Sequence, residues 1–136
     1  MTDDQMAEHR VAERSADRKP VGVLSSTVLD CPDPERLAAF YQLLTGWEVT
    51  YRSEAYVFIG DGPVRIGFQR VGGFRPPEWP SDGARAHLDF TVPELAPAVA
   101  ELLAAGASRP EHQAGGEHWV TLLDPDGHPF CLAVPE

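Results

Sequence analysis

The order of predicted elements repeats along the chain, and this repeat restricts the possible folds more than any other feature. Each half is predicted to form a strand, a helix and then three more strands. The two helices end near Gly46 and Gly106, because glycine readily takes the left-handed conformation found after a helix. Phe68 and Phe130 occupy similar places in the last strand of each half. Two copies of one βαβββ module therefore describe the chain, and the predicted fold class is α+β.

Composition divides the chain into four predicted segments. Residues 1–20 are polar and charged and are predicted to form a disordered or weakly helical tail, or a short arm that docks on a neighbouring subunit. Residues 21–71 form the first module and residues 85–136 the second. Residues 72–84 are rich in proline and glycine, which break helices and strands, so they are predicted to form a linker. An active-site flap is the alternative for this segment, because it also holds two large aromatic residues.

Local signals place the elements of the first module. Asp33 can accept hydrogen bonds from the first amides of a helix, and Pro34 suits the first helical position because an N–H there has no partner. The apolar stripe that predicts the buried face of this helix is Leu37, Phe40, Tyr41 and Leu44. The predicted strands of the first module are residues 21–31, 47–52, 56–60 and 64–71.

The second module begins with a stretch in which polar and apolar residues alternate. In a strand over residues 86–92, His87, Asp89 and Thr91 share one face, and the apolar residues between them share the other. The apolar face can pack on the helix predicted for residues 95–105, and the polar face can line a pocket. Further strands are predicted for residues 108–112, 118–123 and 129–134.

The composition also restricts the partners and the location of the protein. The chain has 21 acidic and 11 basic residues and a formal net charge of −10, which argues against nucleic acid or an anionic membrane as a partner. The same balance is consistent with a preference for cationic ligands. Two cysteines, Cys31 and Cys131, form no disulfide framework, and no stretch resembles a signal peptide or a membrane span. A cytoplasmic location is therefore predicted.

Five short motifs occur in an order and spacing that are more specific than any one of them: residues 31–41, 43–47, 68–71, 87–89 and 124–131. Together they resemble the vicinal oxygen chelate superfamily, and within it the glyoxalase-like, bleomycin-resistance-like branch. The resemblance implies that the two modules pair into a curved eight-stranded mixed sheet that encloses a cavity for a small molecule. The modules can pair within one chain or between two chains. Relatives of this kind are often dimers, so a homodimer is expected.

The resemblance also implies four positions that hold a divalent metal ion in metal-using members, where they are commonly His or Glu. In this sequence they fall on Ser26, Gln69, His87 and Cys131, and only His87 keeps the expected residue type. Gln69 is a neutral amide and Ser26 a poor ligand, whereas His together with Cys favours softer ions. No cofactor is therefore expected, and a divalent ion (Mn, Fe, Ni or Zn) is the alternative.

The leading hypothesis is a small-molecule-binding protein without a catalytic metal, which binds or sequesters an aromatic or cationic metabolite or antibiotic. The residues predicted to wall its pocket are Ser26, Gln69, His87, Asp89, Trp119 and Cys131. His87 and Asp89 are also the candidate acid–base pair of a metal-free enzyme. The alternative is a metal-dependent lyase, isomerase or dioxygenase of the vicinal oxygen chelate type. A third hypothesis is a scaffold domain whose pocket is filled by its own side chains.

Several of these residues also have a purely structural explanation. His87 can be a hydrogen-bonded wall residue anchored by Asp89. Cys131 can pack as a small hydrophobic residue in the last strand. Trp119 can belong to the aromatic core instead of stacking on a ligand. Three further histidines in or beside turns are predicted to be solvated: His112, His118 and His128.

Overall fold

The structure is a computed structural model that describes residue 20, residues 24–77 and residues 86–135. The predicted tail over residues 1–20 lies outside the described residues except for its last residue, and the predicted linker lies outside them from residue 78 onward. The division of the chain at these two segments therefore stays a prediction.

The described elements follow the predicted repeat. The first module consists of β1 (Ser26–Cys31), α1 (Pro34–Thr45), β2 (Val49–Arg52), β3 (Tyr56–Ile59) and β4 (Arg65–Arg70). The second consists of β5 (Leu88–Thr91), α2 (Leu95–Ala104), β6 (Val120–Leu123) and β7 (Pro129–Ala133). Neither of these two helices has the length and hydropathy that a membrane span requires.

Each module builds one mixed sheet. The first sheet has the strand order β1-β4-β3-β2, and the second has the order β5-β7-β6. The first strand of each module runs parallel to the last, and the other pairs are antiparallel. The predicted α+β class with two paired modules is confirmed. The described strands form two sheets of four and three strands and do not close into a barrel.

The helix α1 begins and ends where the sequence predicts. The Asp33 side chain accepts a hydrogen bond from the Arg36 amide at 3.4 Å, and Pro34 occupies the first helical position. Gly46 follows the helix with a φ of 72°, a left-handed conformation that glycine adopts without strain. The predicted stripe is buried, apart from the half-buried Leu44, so α1 presents a continuous apolar face to the core.

The second sheet has a different edge from the one predicted. The predicted strand over residues 108–112 is reduced to one bridge from Ser108 to β6, and Pro110 has no N–H to donate to a strand ladder. The side chain of Gln113 completes this edge: it accepts from the Thr121 N–H at 3.0 Å and donates to the Thr121 carbonyl at 2.9 Å. One side chain thus supplies the two hydrogen bonds that a neighbouring strand would supply.

The helix-facing sides of both sheets share one hydrophobic core. Tyr41 on α1 stacks on Phe68 of β4 with ring centroids 5.5 Å apart, and it contacts Phe130 of β7 edge-on at 6.1 Å. All three side chains are fully buried. Because strand side chains alternate between faces, the residues between these core positions point to the opposite, outer face of each sheet. Among the described residues, the outer faces are therefore the sides of the sheets that a ligand can approach.

Candidate functional site

A pocket of about 400 Å³ lies on the outer face of the second sheet. Its position follows from strand alternation, because β7 sends Phe130 into the core and the next residue, Cys131, to the outer face. The walls are mainly apolar, and the polar side chains come from β5, β6 and β7. The lining residues are His87, Asp89, Phe90, Thr91, Ala114, Trp119, Thr121, Cys131, Leu132 and Ala133.

His87 and Asp89 supply the polar end of this pocket. Asp89 lies in β5 and His87 lies just before this strand, and the two side chains face the same pocket, as the alternation predicts. The Nε2 atom of His87 lies 3.2 Å from Oδ1 of Asp89. Both side chains are open to solvent, with exposed fractions of 45% for His87 and 76% for Asp89. The carboxylate can therefore orient the imidazole and still contact a ligand.

Cys131 lies beside this pair, at the ladder position opposite Asp89. Its Sγ atom is 3.4 Å from Oγ1 of the buried Thr121. Burial raises the pKa of the Cys131 thiol, the contact with Thr121 opposes this effect, and the negative charge of Asp89 adds to it. The thiol is therefore protonated near neutral pH and lacks the activation that a nucleophilic cysteine needs.

Three kinds of donor atom meet at this end of the pocket. The imidazole of His87, the carboxylate of Asp89 and the thiol of Cys131 each place a donor atom within 4.8 Å of the other two. In the part of the chain that the structure describes, no other group of histidine, cysteine or acidic side chains comes together in this way. Two of the four metal positions implied by the family resemblance fall on His87 and Cys131, and none of them falls on Asp89.

Trp119 forms a wall of the pocket just before β6. The indole packs on Gly115, where a Cβ atom would lie 2.5 Å from Cδ2 of the ring. The side chain is exposed and does not belong to the hydrophobic core. The ring is therefore available to stack on a flat ligand.

Ser26 and Gln69 lie on the first sheet and do not line this pocket. Ser26 begins β1 opposite Arg65, and Gln69 lies opposite Asp30. The structure brings the other four predicted pocket residues together within one chain. A role for Ser26 and Gln69 in ligand binding stays a prediction.

The strand register shows what the first module offers at the positions of Asp89 and Cys131. Val28 and Asp89 each lie five residues before the N-cap of the next helix, and Val28 pairs with Gly67 as Asp89 pairs with Cys131. The first-module pair therefore has no donor side chain. Gly67 also has no room for one, since a Cβ there would lie 2.5 Å from Cε1 of Phe58.

A second polar cluster lies in the core, where the sequence predicts none. The carboxylate of Asp124, at the turn between β6 and β7, is buried and accepts a hydrogen bond from the Tyr41 hydroxyl at 2.8 Å. Nδ1 of His128 lies 2.8 Å from the same oxygen, and the amides of Asp126 and His128 donate to the other oxygen. The interpretation of His128 as a solvated turn residue is wrong, because its side chain is mostly buried against Asp124.

This cluster changes the titration of its members. Burial alone would lower the pKa of His128, but the hydrogen bond and the charge of Asp124 outweigh it, so the pKa is raised. Burial, and then the charge of Asp124, raises the pKa of Tyr41 well above its usual value. The turn over residues 124–127 could be predicted from its composition. The hydrogen bond from Tyr41 to this turn could not be predicted, because Tyr41 belongs to the other module.

Three solved structures illustrate the similarity of this fold to those of known proteins. A glyoxalase/bleomycin resistance protein/dioxygenase family enzyme from Burkholderia phytofirmans PsJN is 24% identical, with a TM-score of 0.64, over 82% of this chain and 97% of that chain. A glyoxalase-related enzyme from Fulvimarina pelagi is 23% identical, with a TM-score of 0.62, over 85% of this chain and 89% of that chain. The bleomycin resistance determinant encoded on the transposon Tn5 is 20% identical, with a TM-score of 0.55, over 85% of this chain and 99% of that chain. At these identities the likeness shows the fold alone.

The family follows from a different comparison. No curated protein sequence matches this chain significantly. Residues 26–133, which include both sheets and both described helices, match the model of the glyoxalase-like domain. The predicted resemblance is therefore confirmed, and the chain belongs to the glyoxalase-like domain family.

Proposed function

We propose that this protein binds a small aromatic or cationic molecule in the pocket on the second sheet and sequesters it unchanged. The observation that carries the proposal is the presence of an exposed carboxylate, Asp89, and an exposed indole, Trp119, in one pocket of about 400 Å³. Pockets of this size that combine apolar walls with a few polar groups suit small organic molecules.

The chemistry of the pocket favours an amine-bearing aromatic ligand. The Asp89 carboxylate can pair with an ammonium group, and the formal net charge of −10 attracts cations to the protein as a whole. The face of Trp119 can hold either an aromatic ring or a cation. The similarity in fold to a bleomycin resistance determinant supports an antibiotic as one candidate ligand.

The four metal positions implied by the family resemblance do not fit a catalytic ion of the Mg²⁺ or Fe²⁺ kind. Such ions require carboxylate and imidazole ligands, whereas Ser26 and Gln69 are neutral and lie on the other sheet. No step of the proposed function therefore uses a metal. A metal-dependent lyase, isomerase or dioxygenase is the alternative, and the donor group of His87, Asp89 and Cys131 is the observation in its favour.

We also propose that the protein is a homodimer in which the first sheet of one copy covers the pocket of the other. The outer face of the first sheet carries apolar side chains that are open to solvent, among them Val28 and Tyr51, with exposed fractions of 40% and 52%. Exposed apolar surface of this kind is typical of interfaces. In such a dimer Ser26 and Gln69 of one copy would face the pocket of the other, which gives them access to its ligand.

The proposal is tested by calorimetric titration of the full chain with a panel of amine-bearing aromatic compounds in the presence of EDTA. We expect saturable binding and recovery of the compound unchanged. Asp89→Asn should weaken the binding of a cation about three- to fivefold, because exposed ion pairs contribute up to about 1 kcal/mol. Trp119→Ala should weaken it about tenfold through lost ring stacking. Glu101→Gln, which removes an exposed carboxylate on α2 away from the pocket, is the matched control.

The same experiment separates binding from catalysis. Conversion of the compound by the wild type but not by His87→Ala would favour a metal-free enzyme in which His87, oriented by Asp89, moves the proton. Binding or conversion that occurs only after a divalent ion is added would favour the metal-dependent alternative. Either result would replace sequestration as the function.

A further inference from the structure

The three donor atoms at the polar end of the pocket have nearly the spacing of ligands on one metal ion. Two ligand atoms on a tetrahedral zinc ion lie about 3.3–3.8 Å apart, given bonds of about 2.0–2.3 Å. His87 Nε2 and Asp89 Oδ1 are 3.2 Å apart, and the three donor atoms, with Cys131 Sγ, lie within 4.8 Å of one another. The His87 and Asp89 side chains are exposed, so they can rotate to close the remaining gap.

The backbone holds these donors in a fixed relation. Asp89 and Cys131 are ladder partners in the parallel pair β5–β7, and His87 precedes Asp89 by two residues on the same face. Thr121 on β6 places its hydroxyl 3.4 Å from Cys131 Sγ and can donate a hydrogen bond to a metal-bound thiolate. Two of the three donors thus lie on neighbouring strands of one sheet, which position side chains more accurately than loops do, and His87 lies directly before one of these strands.

We propose that His87, Asp89 and Cys131 bind one soft divalent cation of the Zn²⁺ type, and that the second module holds this ion without any ligand from the first. Imidazole and thiolate together select Zn²⁺ over Mg²⁺ or Ca²⁺, which prefer oxygen ligands. Cys131 gives up its thiol proton to solvent when the ion binds, and the resulting thiolate and the Asp89 carboxylate offset the two positive charges of the ion. Three protein ligands leave a fourth position of the tetrahedron open toward the pocket.

In the part of the chain that the structure describes, no residue of the first module lines the pocket. The counterpart of the Asp89–Cys131 pair is Val28–Gly67, which has no donor atom in its side chains. The ligand set also differs from the four positions implied by the family resemblance. It includes Asp89, and it leaves out the two first-module positions, Ser26 and Gln69.

The ion would also regulate the pocket. Zn²⁺ occupies the carboxylate that an ammonium group would use, so metal and cationic ligand should exclude each other. Linkage requires this effect to be reciprocal. This consequence rests on the proposed ligand class, whereas the metal site itself does not.

The test is a titration of the metal-free full chain with Zn²⁺ and with Co²⁺ as a spectroscopic substitute, with no organic ligand present. We expect one equivalent of either ion to bind, a rise in Tm with Zn²⁺, and a thiolate-to-cobalt charge-transfer band in the near ultraviolet. Cys131→Ser should abolish that band, and Asp89→Asn should weaken binding at least tenfold. Ser26→Ala and Gln69→Ala should bind as the wild type does. His118→Ala controls for adventitious binding to an exposed histidine.

Two results would overturn the inference. One is the lack of saturable binding, or binding that Cys131→Ser and Asp89→Asn leave unchanged while circular dichroism shows that they fold. The other is a loss in Ser26→Ala or Gln69→Ala as large as that in Asp89→Asn, since the site would then span both modules. Because the ligand titration is done in EDTA and the metal titration without ligand, failure of one proposal is distinguishable from failure of the other.

Discussion

His128 makes the stability of this fold depend on pH. Its imidazole lies 2.8 Å from the buried Asp124 carboxylate, and the ring of Phe74 packs beside it with centroids 5.6 Å apart. The pKa of His128 is raised, so the folded state holds this proton more tightly than the unfolded state does. The resulting stabilisation is fully present below the unfolded pKa of about 6.5 and is lost as the pH rises through the folded pKa.

We therefore expect the free energy of unfolding of the wild type to fall, relative to that of His128→Gln, as the pH rises above about 6.5 and through the raised pKa of the folded state. Urea denaturation at a series of pH values measures this difference. The ordinary carboxyl pKa values of about 4 lie below the start of this fall, and the pKa of the buried Cys31 thiol, at about 11, lies well above it. The exposed His118 provides a matched control, His118→Gln. Parallel pH profiles for the wild type and His128→Gln would contradict the prediction.

Gly67 leaves the space that the Phe58 ring occupies. An added Cβ would lie 2.5 Å from Cε1 of that ring. The ring is held on other sides, because Tyr56 stacks on it with centroids 6.1 Å apart and the Arg65 guanidinium lies 4.9 Å from its centroid. We expect Gly67→Ala to lower the free energy of unfolding by about 1–3 kcal/mol through overpacking. Gly72→Ala has nothing within 4 Å of the new atom and should change it little. Equal urea midpoints for the two variants would refute this account.

Among the elements, α1 and the edge of the second sheet show what local sequence can predict. The start and end of α1 depend on Asp33, Pro34 and Gly46, which act on the backbone next to them, so the sequence alone was sufficient. The edge of β6 is completed by a side chain, that of Gln113, and not by a strand. No pattern of period two in residues 108–112 could have indicated it.

The contribution of Gln113 can be measured directly. Gln113→Ala leaves the N–H and the carbonyl of the buried Thr121 without these partners, so we expect a loss of about 1–3 kcal/mol in the free energy of unfolding. Amide hydrogen exchange should accelerate at Thr121 in particular. Gln113→Glu keeps the acceptor and loses the donor, and its loss should be intermediate. Unchanged exchange at Thr121 in Gln113→Ala would show that the strand edge does not depend on this side chain.

At the scale of the whole molecule, the candidate site could be predicted only as far as one module reaches. His87 and Asp89 share a face because of strand alternation, which is visible in the sequence. The contact of Asp124 with Tyr41 joins residues of different modules, and no local pattern encodes how those modules pack. The strand register, which pairs Gln69 with Asp30 and Cys131 with Asp89, is equally invisible in the sequence.

In the described part of the chain, the packing of the modules also leaves both outer sheet faces uncovered. The helix-facing sides of both sheets are buried in the shared core, whereas the described residues leave the pocket on the second sheet and the apolar outer face of the first sheet open. A second copy can cover both at once, because its first sheet can lie over the pocket while its own pocket receives the first sheet of the partner. Such an exchange has twofold symmetry, the commonest symmetry of soluble oligomers.

This arrangement predicts a dimer, and it predicts that a substitution which prevents dimerisation also weakens ligand binding. Light scattering after size exclusion should give twice the chain mass of 14.9 kDa. Tyr51→Asp, which places a charge on the outer face of the first sheet, should give monomers and weaken ligand binding at the distant pocket, because the pocket loses its cover. Leu43→Asp, at an exposed leucine on α1 away from both outer faces, should leave both properties unchanged. A wild-type monomer that binds ligand fully would show that one chain is sufficient.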